Sequence, residues 1–135
     1  MAAGALAAVN PTYIPGLTAG LTLAAHQYKC VKWASTAKAV ILVAATTDVC
    51  CGVVQNDPAA GEAALVQSHG IAICWAGTST LTAGQNVGYD TTGRVINHTT
   101  ETRQSIGRAN DPSTAVGDYV RIALYGGGSY DGVGA

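Results

Sequence analysis

Tyr119-Val120-Arg121-Ile122-Ala123-Leu124 sets Val120, Ile122 and Leu124 against Tyr119, Arg121 and Ala123 with a period of two, the repeat of a strand with one face in a core and a wetter one outside. Upstream, residues 65–75 carry Ile71, Ile73 and Trp75 in alternation with Ala72 and Cys74, and Ala76 follows in step. Both faces of that segment read as buried, and Gly70 in its middle marks a bulge or bend. Residues 39–44, Ala-Val-Ile-Leu-Val-Ala, are too few for a stable helix and are bounded by turn formers, which fits a fully covered strand. Residues 28–33 form a further strand candidate. Asp90-Thr91-Thr92-Gly93 has Asp and Gly where a type I turn wants them and joins residues 86–89 to residues 94–98 as a hairpin. The pattern predicts an all-β fold, a small single-domain β-barrel or sandwich of hairpins.

Composition agrees. The chain has 135 residues and 13.6 kDa, room for one domain with one real core. Twenty-four residues are Ala, 28 are Leu, Ile or Val, and none is Phe, so that core is thin and built of small side chains. Fifteen Thr and 17 Gly suit short strands and turns better than helices. Charged residues make up 11%, with 7 Lys+Arg against 8 Asp+Glu, which argues against a nucleic-acid arm or a polybasic membrane anchor. No apolar run approaches the roughly 18 residues of a transmembrane helix. The opening Met-Ala-Ala-Gly-Ala-Leu-Ala-Ala-Val-Asn-Pro-Thr-Tyr-Ile-Pro-Gly lacks the cationic segment of a secretory signal, and Pro11 and Pro15 break a helix early. It reads as an extended N-terminal arm, residues 1–16, before a body at 17–125 and a glycine-rich C-terminal tail at 126–135.

An internal echo runs through the body. Leu17-Thr18-Ala19-Gly20 recurs as Leu81-Thr82-Ala83-Gly84, and the Asn56-Asp57-Pro58 segment with Gly61-Glu62 recurs as Asn110-Asp111-Pro112 with Gly117-Asp118. Duplication and the shared chemistry of turns account for it equally well, and both dictate hairpins arranged as two similar half-units.

The chemistry of catalysis is hard to assemble here. His26, His69 and His98 are far apart and in no metal-binding frame. Ser68 and His69, as strand neighbours, are expected to point to opposite faces. Asp48, Asp57, Glu62, Asp90, Asp111, Asp118 and Asp131 mostly sit in turn-like settings where a carboxylate bends and caps backbone. Cys30, Cys50, Cys51 and Cys74 read as free, half-buried thiols, because the adjacent Cys50 and Cys51 face opposite ways on a strand. No phosphate loop is present, and no metal or cofactor is expected. Trp33, Trp75 and Tyr89 are the residues of a less favoured sugar-stacking platform.

A domain this poor in charge, with two apolar ends, is badly solvated alone, and assembly is the remedy. The residues assigned to capsid or subunit contact are Leu6, Val9, Tyr13, Ile14, Trp33, Tyr125 and Tyr130, with Tyr13 and Ile14 as anchors of the arm. The alternative for those two is a staple of the arm onto its own body. The assignment to a capsid comes from a resemblance. Asp48-Val49-Cys50-Cys51-Gly52-Val53-Val54, Ala59-Ala60-Gly61-Glu62-Ala63-Ala64-Leu65-Val66, the run from Leu81 to Val95, and Ile106-Gly107-Arg108-Ala109 through Ala115-Val116-Gly117-Asp118-Tyr119-Val120-Arg121-Ile122 resemble the small β-barrel cement, or decoration, proteins of tailed-bacteriophage heads. The resemblance implies a non-enzymatic virion protein, assembled in the bacterial cytoplasm and bound to the outer capsid surface. Its partners would be the major capsid protein and two further copies of itself, as a homotrimer bridging capsomers. A carbohydrate- or host-surface-binding module of head-fibre type is the alternative. A third reading, a hydrolase site completed across subunits, would need His and Asp from different chains.

Overall fold

The computed structural model describes residues 8–98 and 104–130, with side chains placed for 8–98 and 105–125. Ten strands form one sheet: β1 (Val9–Tyr13), β2 (Thr18–Ala19), β3 (Cys30–Trp33), β4 (Ala39–Leu42), β5 (Cys50–Val54), β6 (Val66–Trp75), β7 (Asn86–Tyr89), β8 (Val95–Asn97), β9 (Gln104–Ala109) and β10 (Tyr119–Tyr130). Their order is β2-β4-β3-β5-β6-β10-β9-β7-β8, with β1 added to β6. No helix occurs among the described residues. All pairings are antiparallel except β2 with β4. The all-β expectation holds.

The sheet coils back on itself. Gly93 O in the β7–β8 turn accepts from Cys30 N of β3 at 2.7 Å, and Val95 O of β8 accepts from Gly77 N just past β6 at 2.8 Å. Inside this barrel Cys30, Val53, Cys74, Val87, Tyr89, Val95, Ile106, Val120 and Ile122 form one core. A second core, with Leu17, Leu23, Val31, Val40, Cys51, Val54 and Val66, lies on the other side of β3 and β5. This arrangement explains why those strands are apolar at successive positions. Cys30 and Val31, Cys50 and Cys51, and Val53 and Val54 are neighbours whose alternating side chains enter different cores. Each Val or Leu so buried contributes roughly 1.5–3 kcal/mol. The cysteines are free and buried; burial, first, pushes the Cys51 thiol up to about 12, and burial also raises Cys74.

The echoed segments play matching roles. Gly61 and Gly117 take φ of 85° and 95°, a region open to glycine at little cost. The acid that follows each closes its turn: Glu62 Oε1 accepts from Ala59 N at 2.7 Å, and Asp118 Oδ2 accepts from Thr114 N at 2.8 Å and Ala115 N at 3.0 Å. Leu17 and Leu81, the first residues of the two Leu-Thr-Ala-Gly segments, are buried in different cores. Each segment also bonds to its own Asn-Asp-Pro hairpin, through Leu17 O to Ala64 N at 3.0 Å and Leu81 O to Ser113 N at 3.1 Å.

Two regions at the chain ends join the sheet. Val9–Tyr13 is a strand along β6, pairing Val9 with Ile71, Thr12 with His69 and Tyr13 with Gln67 across two register shifts. β10 continues past the alternation that reveals it, as far as Tyr130, with Ser129 and Tyr130 paired to Ser105 and Gln104. The partner strand, β9, supplies order that the glycines cannot supply themselves.

Candidate functional site

β5 and β6 pair only at Val53–Gln67 and Val54–Val66. Beyond that point β10 takes over the edge of β6 that β5 leaves, while β1 runs along the opposite edge through Gln67, His69 and Ile71, and beside the parted strands lies a groove of about 340 Å³. Its floor is Cys50 and Cys51 of β5, with Ser68 and His69 of β6 on one side and Ile14, Trp33 and Val49 around the rest. Two glycines permit this geometry. A Cβ on Gly52 would stand 2.5 Å from Gln67 O, where β5 and β6 press together before parting. Gly70, at φ +85°, lets β1 pass so closely that a Cβ would lie 2.3 Å from Asn10 O. The sequence reading of Gly70 as a bend was right, and β1 is the reason for the bend.

The groove wall is set by one carboxylate. Asp48 Oδ2 accepts from Lys32 Nζ at 2.9 Å and from Ala44 N and Ala45 N at 2.8 and 3.0 Å. These bonds tie the β4–β5 loop, and with it Val49, to the strand that carries Trp33. Tyr89, buried in the barrel, donates its hydroxyl to the carbonyl of the same Asp48. Burial pushes the Asp48 carboxyl upward, but the Ala44 amide, the Lys32 ammonium and the Ala45 amide outweigh it and hold the group below the usual carboxylate range. The ion pair is therefore spent within the wall, and apolar side chains dominate the mouth beside the Ser68 and His69 rim. Val9, Tyr13, Trp33 and Val49 are all exposed large hydrophobics, Trp33 at 51%.

Of the residues assigned to contact from sequence, Ile14 and Trp33 line this groove together, and Val9 and Tyr13 lie on β1 beside it. Ile14 is half committed elsewhere, since it packs against the second core and donates its amide to Val66 O at 2.9 Å. Tyr125 is exposed and its backbone pairs with the groove residue His69, but it does not line the groove, and its hydroxyl reaches across β9 to Asn86 Oδ1 on β7 at 3.0 Å. Tyr130 ends β10, with its side chain outside the described residues, as is Leu6 altogether. Val49 was missed, because only the non-local parting of β5 from β6 exposes it.

One expectation is overturned. Ser68 and His69 do not point apart: Ser68 Oγ and His69 Nδ1 are 2.9 Å from each other. The left-handed turn at Gly70 and the irregular register with β1 break the strand alternation on which the expectation rested. His69 has no carboxylate partner among the described residues, so the pair lacks the orienting group of a triad and serves as a polar rim on the groove. The acids behave as turn residues should in five cases, Asp48, Glu62, Asp90, Asp111 and Asp118, each accepting from backbone amides. Asp57 does not. Among the described residues no cluster of His, Cys, Asp and Glu could hold a metal ion.

Comparison with known proteins bears on what docks here. No curated protein matches the sequence. Among solved structures, the crystal structure of the head fibre N base of bacteriophage phi29 shares the fold at a TM-score of 0.60 and 15% identity, covering 84% of this chain and 93% of that one. A family model described as phage cement protein matches residues 27–124, a span that includes β3 to the first half of β10 and both echoed hairpins. The chain is thus a member of the phage cement protein family, a structural protein of the phage head.

Proposed function

We propose that this chain binds the outer surface of a phage head through the groove between β5 and β6, and that it does so as a homotrimer bridging capsomers. The observation that carries the reading is the pair of exposed hydrophobics Trp33 and Val49 lining a cavity with Ile14, next to exposed Tyr13, with the nearby Lys32 and Asp48 charges neutralising one another. Aromatic and aliphatic side chains in such a setting dominate interface energetics. Three modest contacts in one trimer gain avidity because the second and third are intramolecular. β1 belongs to the attachment surface as a strand of the body, with the residues before it as a further reach.

Deleting the N-terminal segment would test this poorly, because the deletion also removes β1 and the packing of Ile14. Substitution is cleaner. Val49→Asp and Trp33→Ala, both at exposed positions, are expected to leave the thermal midpoint within a few degrees and to weaken binding to bare heads at least tenfold. Because the contact is apolar, the parent chain should stay bound between about 0.05 M and 1 M salt, conditions over which the screening length falls to about 3 Å. Undiminished binding by both variants, or release of the parent by salt, would contradict the reading.

A further inference from the structure

β6 ends in a second cleft, about 20 Å along the strand from the groove at the usual rise per residue. It holds about 270 Å³ and is lined by Ala25, Gln27, Asp57, Trp75 and Tyr119. Trp75 and Tyr119 are register partners on β6 and β10, with ring centroids 6.0 Å apart, and Tyr28 stands edge-on to Tyr119 at 5.5 Å. The loop that presents Tyr28 is strained: Ala25 and Tyr28 take φ of 67° and 71°, where a side chain with a Cβ, and an aromatic one above all, is disfavoured. Backbone hydrogen bonds hold it there, from Tyr28 N to Val54 O at 2.7 Å and from Trp75 N to Tyr28 O at 2.9 Å. Nothing in the turn chemistry of the sequence calls for that strain.

The polar groups around these rings are few and uncommitted. Asp57 is exposed and, unlike the five turn acids, makes no hydrogen bond or ion pair among the described residues; its charge raises the Tyr28 hydroxyl pKa after burial and Tyr119. Gln27 gives its Nε2 to Gln55 O at 2.8 Å, which leaves Oε1 as an acceptor. The indole Nε1 of Trp75 is buried with no acceptor among the described residues. The Lys29 ammonium covers one face of the Trp75 ring at 4.5 Å, and its nearest polar partner is His26 Nδ1 at 3.1 Å. Ring faces bordered by a carboxylate, an amide oxygen and one buried N–H suit a ligand with apolar C–H faces and many hydroxyl donors. A proline-rich peptide offers few donors to Asp57, and an anionic sugar would meet its charge.

We propose that the Trp75–Tyr119–Tyr28 cleft is a binding site for neutral oligosaccharides, at the end of β6 remote from the capsid-binding groove. The two sites share no lining residue, so the cleft stays free when the groove is occupied. The test uses the free chain, so that its outcome does not depend on attachment to heads. In a Trp33→Phe background the remaining indole is that of Trp75, and its fluorescence is followed while maltotriose and, separately, triacetylchitotriose are added to about 10 mM, well into the range of weak binding. A saturable change with at least one of them is expected, weakened at least tenfold by Asp57→Ala and by Gln27→Ala, neither of which removes a core group. No saturable change with either sugar would overturn the proposal. So would equal affinity in both variants, or saturation by a polyproline peptide or glucose 6-phosphate in place of the neutral sugars.

Discussion

Gly70 shows how a single residue decides whether β1 belongs to the body. Its φ of +85° costs a glycine little, and the missing Cβ leaves room for the carbonyl of Asn10, which a methyl group would meet at 2.3 Å. Gly70→Ala must adopt a left-handed conformation, worth roughly 1–2 kcal/mol, and also displace backbone that has no flexible end to give. A loss of about 2–4 kcal/mol is expected in urea unfolding, within the usual range for strain at a special backbone position. In a chain lacking residues 1–13 the steric part of the penalty disappears and the same substitution should cost no more than about 2 kcal/mol. Equal losses in both backgrounds would show that β1 does not lie against Gly70.

Among the elements, the β4–β5 loop and β3 together form the groove wall, and Asp48 joins them. The Asp48 carboxyl is held below its ordinary value of about 3.9 by amides and by Lys32, so its stabilisation is fully present above that value and is lost as pH falls through the lower folded value. Asp48→Asn should therefore cost about 1.5–3 kcal/mol near neutral pH, the range for hydrogen bonds to a charged group, and progressively less below about pH 4. Parallel urea titrations of parent and variant across that interval check the sign; a gap that widens on acidification would refute it. Strands and hairpins were legible where side chains alternate or turn residues are placed, as in residues 119–124 and at Asp90 and Gly93. The opposed faces of Cys50 and Cys51 were legible too, but not their depth: read as half-buried, both are buried because a core lies on each side of β5. What the local pattern cannot carry is pairing between distant segments. β1 with its Pro11 resembles a loose arm until β6 is set beside it, and Gly126 to Gly128 resemble a tail until β9 is. The groove at Val49 and the strain at Tyr28 are products of the same long-range closure.

For the whole molecule, sparse charge and two cores of small side chains leave little surface that favours isolation in water, and three of the described ion pairs, Lys32–Asp48, Arg94–Asp90 and Arg121–Asp111, are internal to the chain. The apolar groove lies toward one end of β6 and the aromatic cleft at the other; we assign the first to a protein shell and the second to hydroxyl-rich ligands. We place the face bearing Trp33 and Val49 against the head. Hydrogen exchange of the chain, compared free and bound to heads, locates that face directly. Added protection is predicted in residues 9–14, 31–33 and 48–52, with residues 25–28 and 57–62 unchanged; protection confined to the latter, with the groove segments exchanging as in the free chain, would contradict the account.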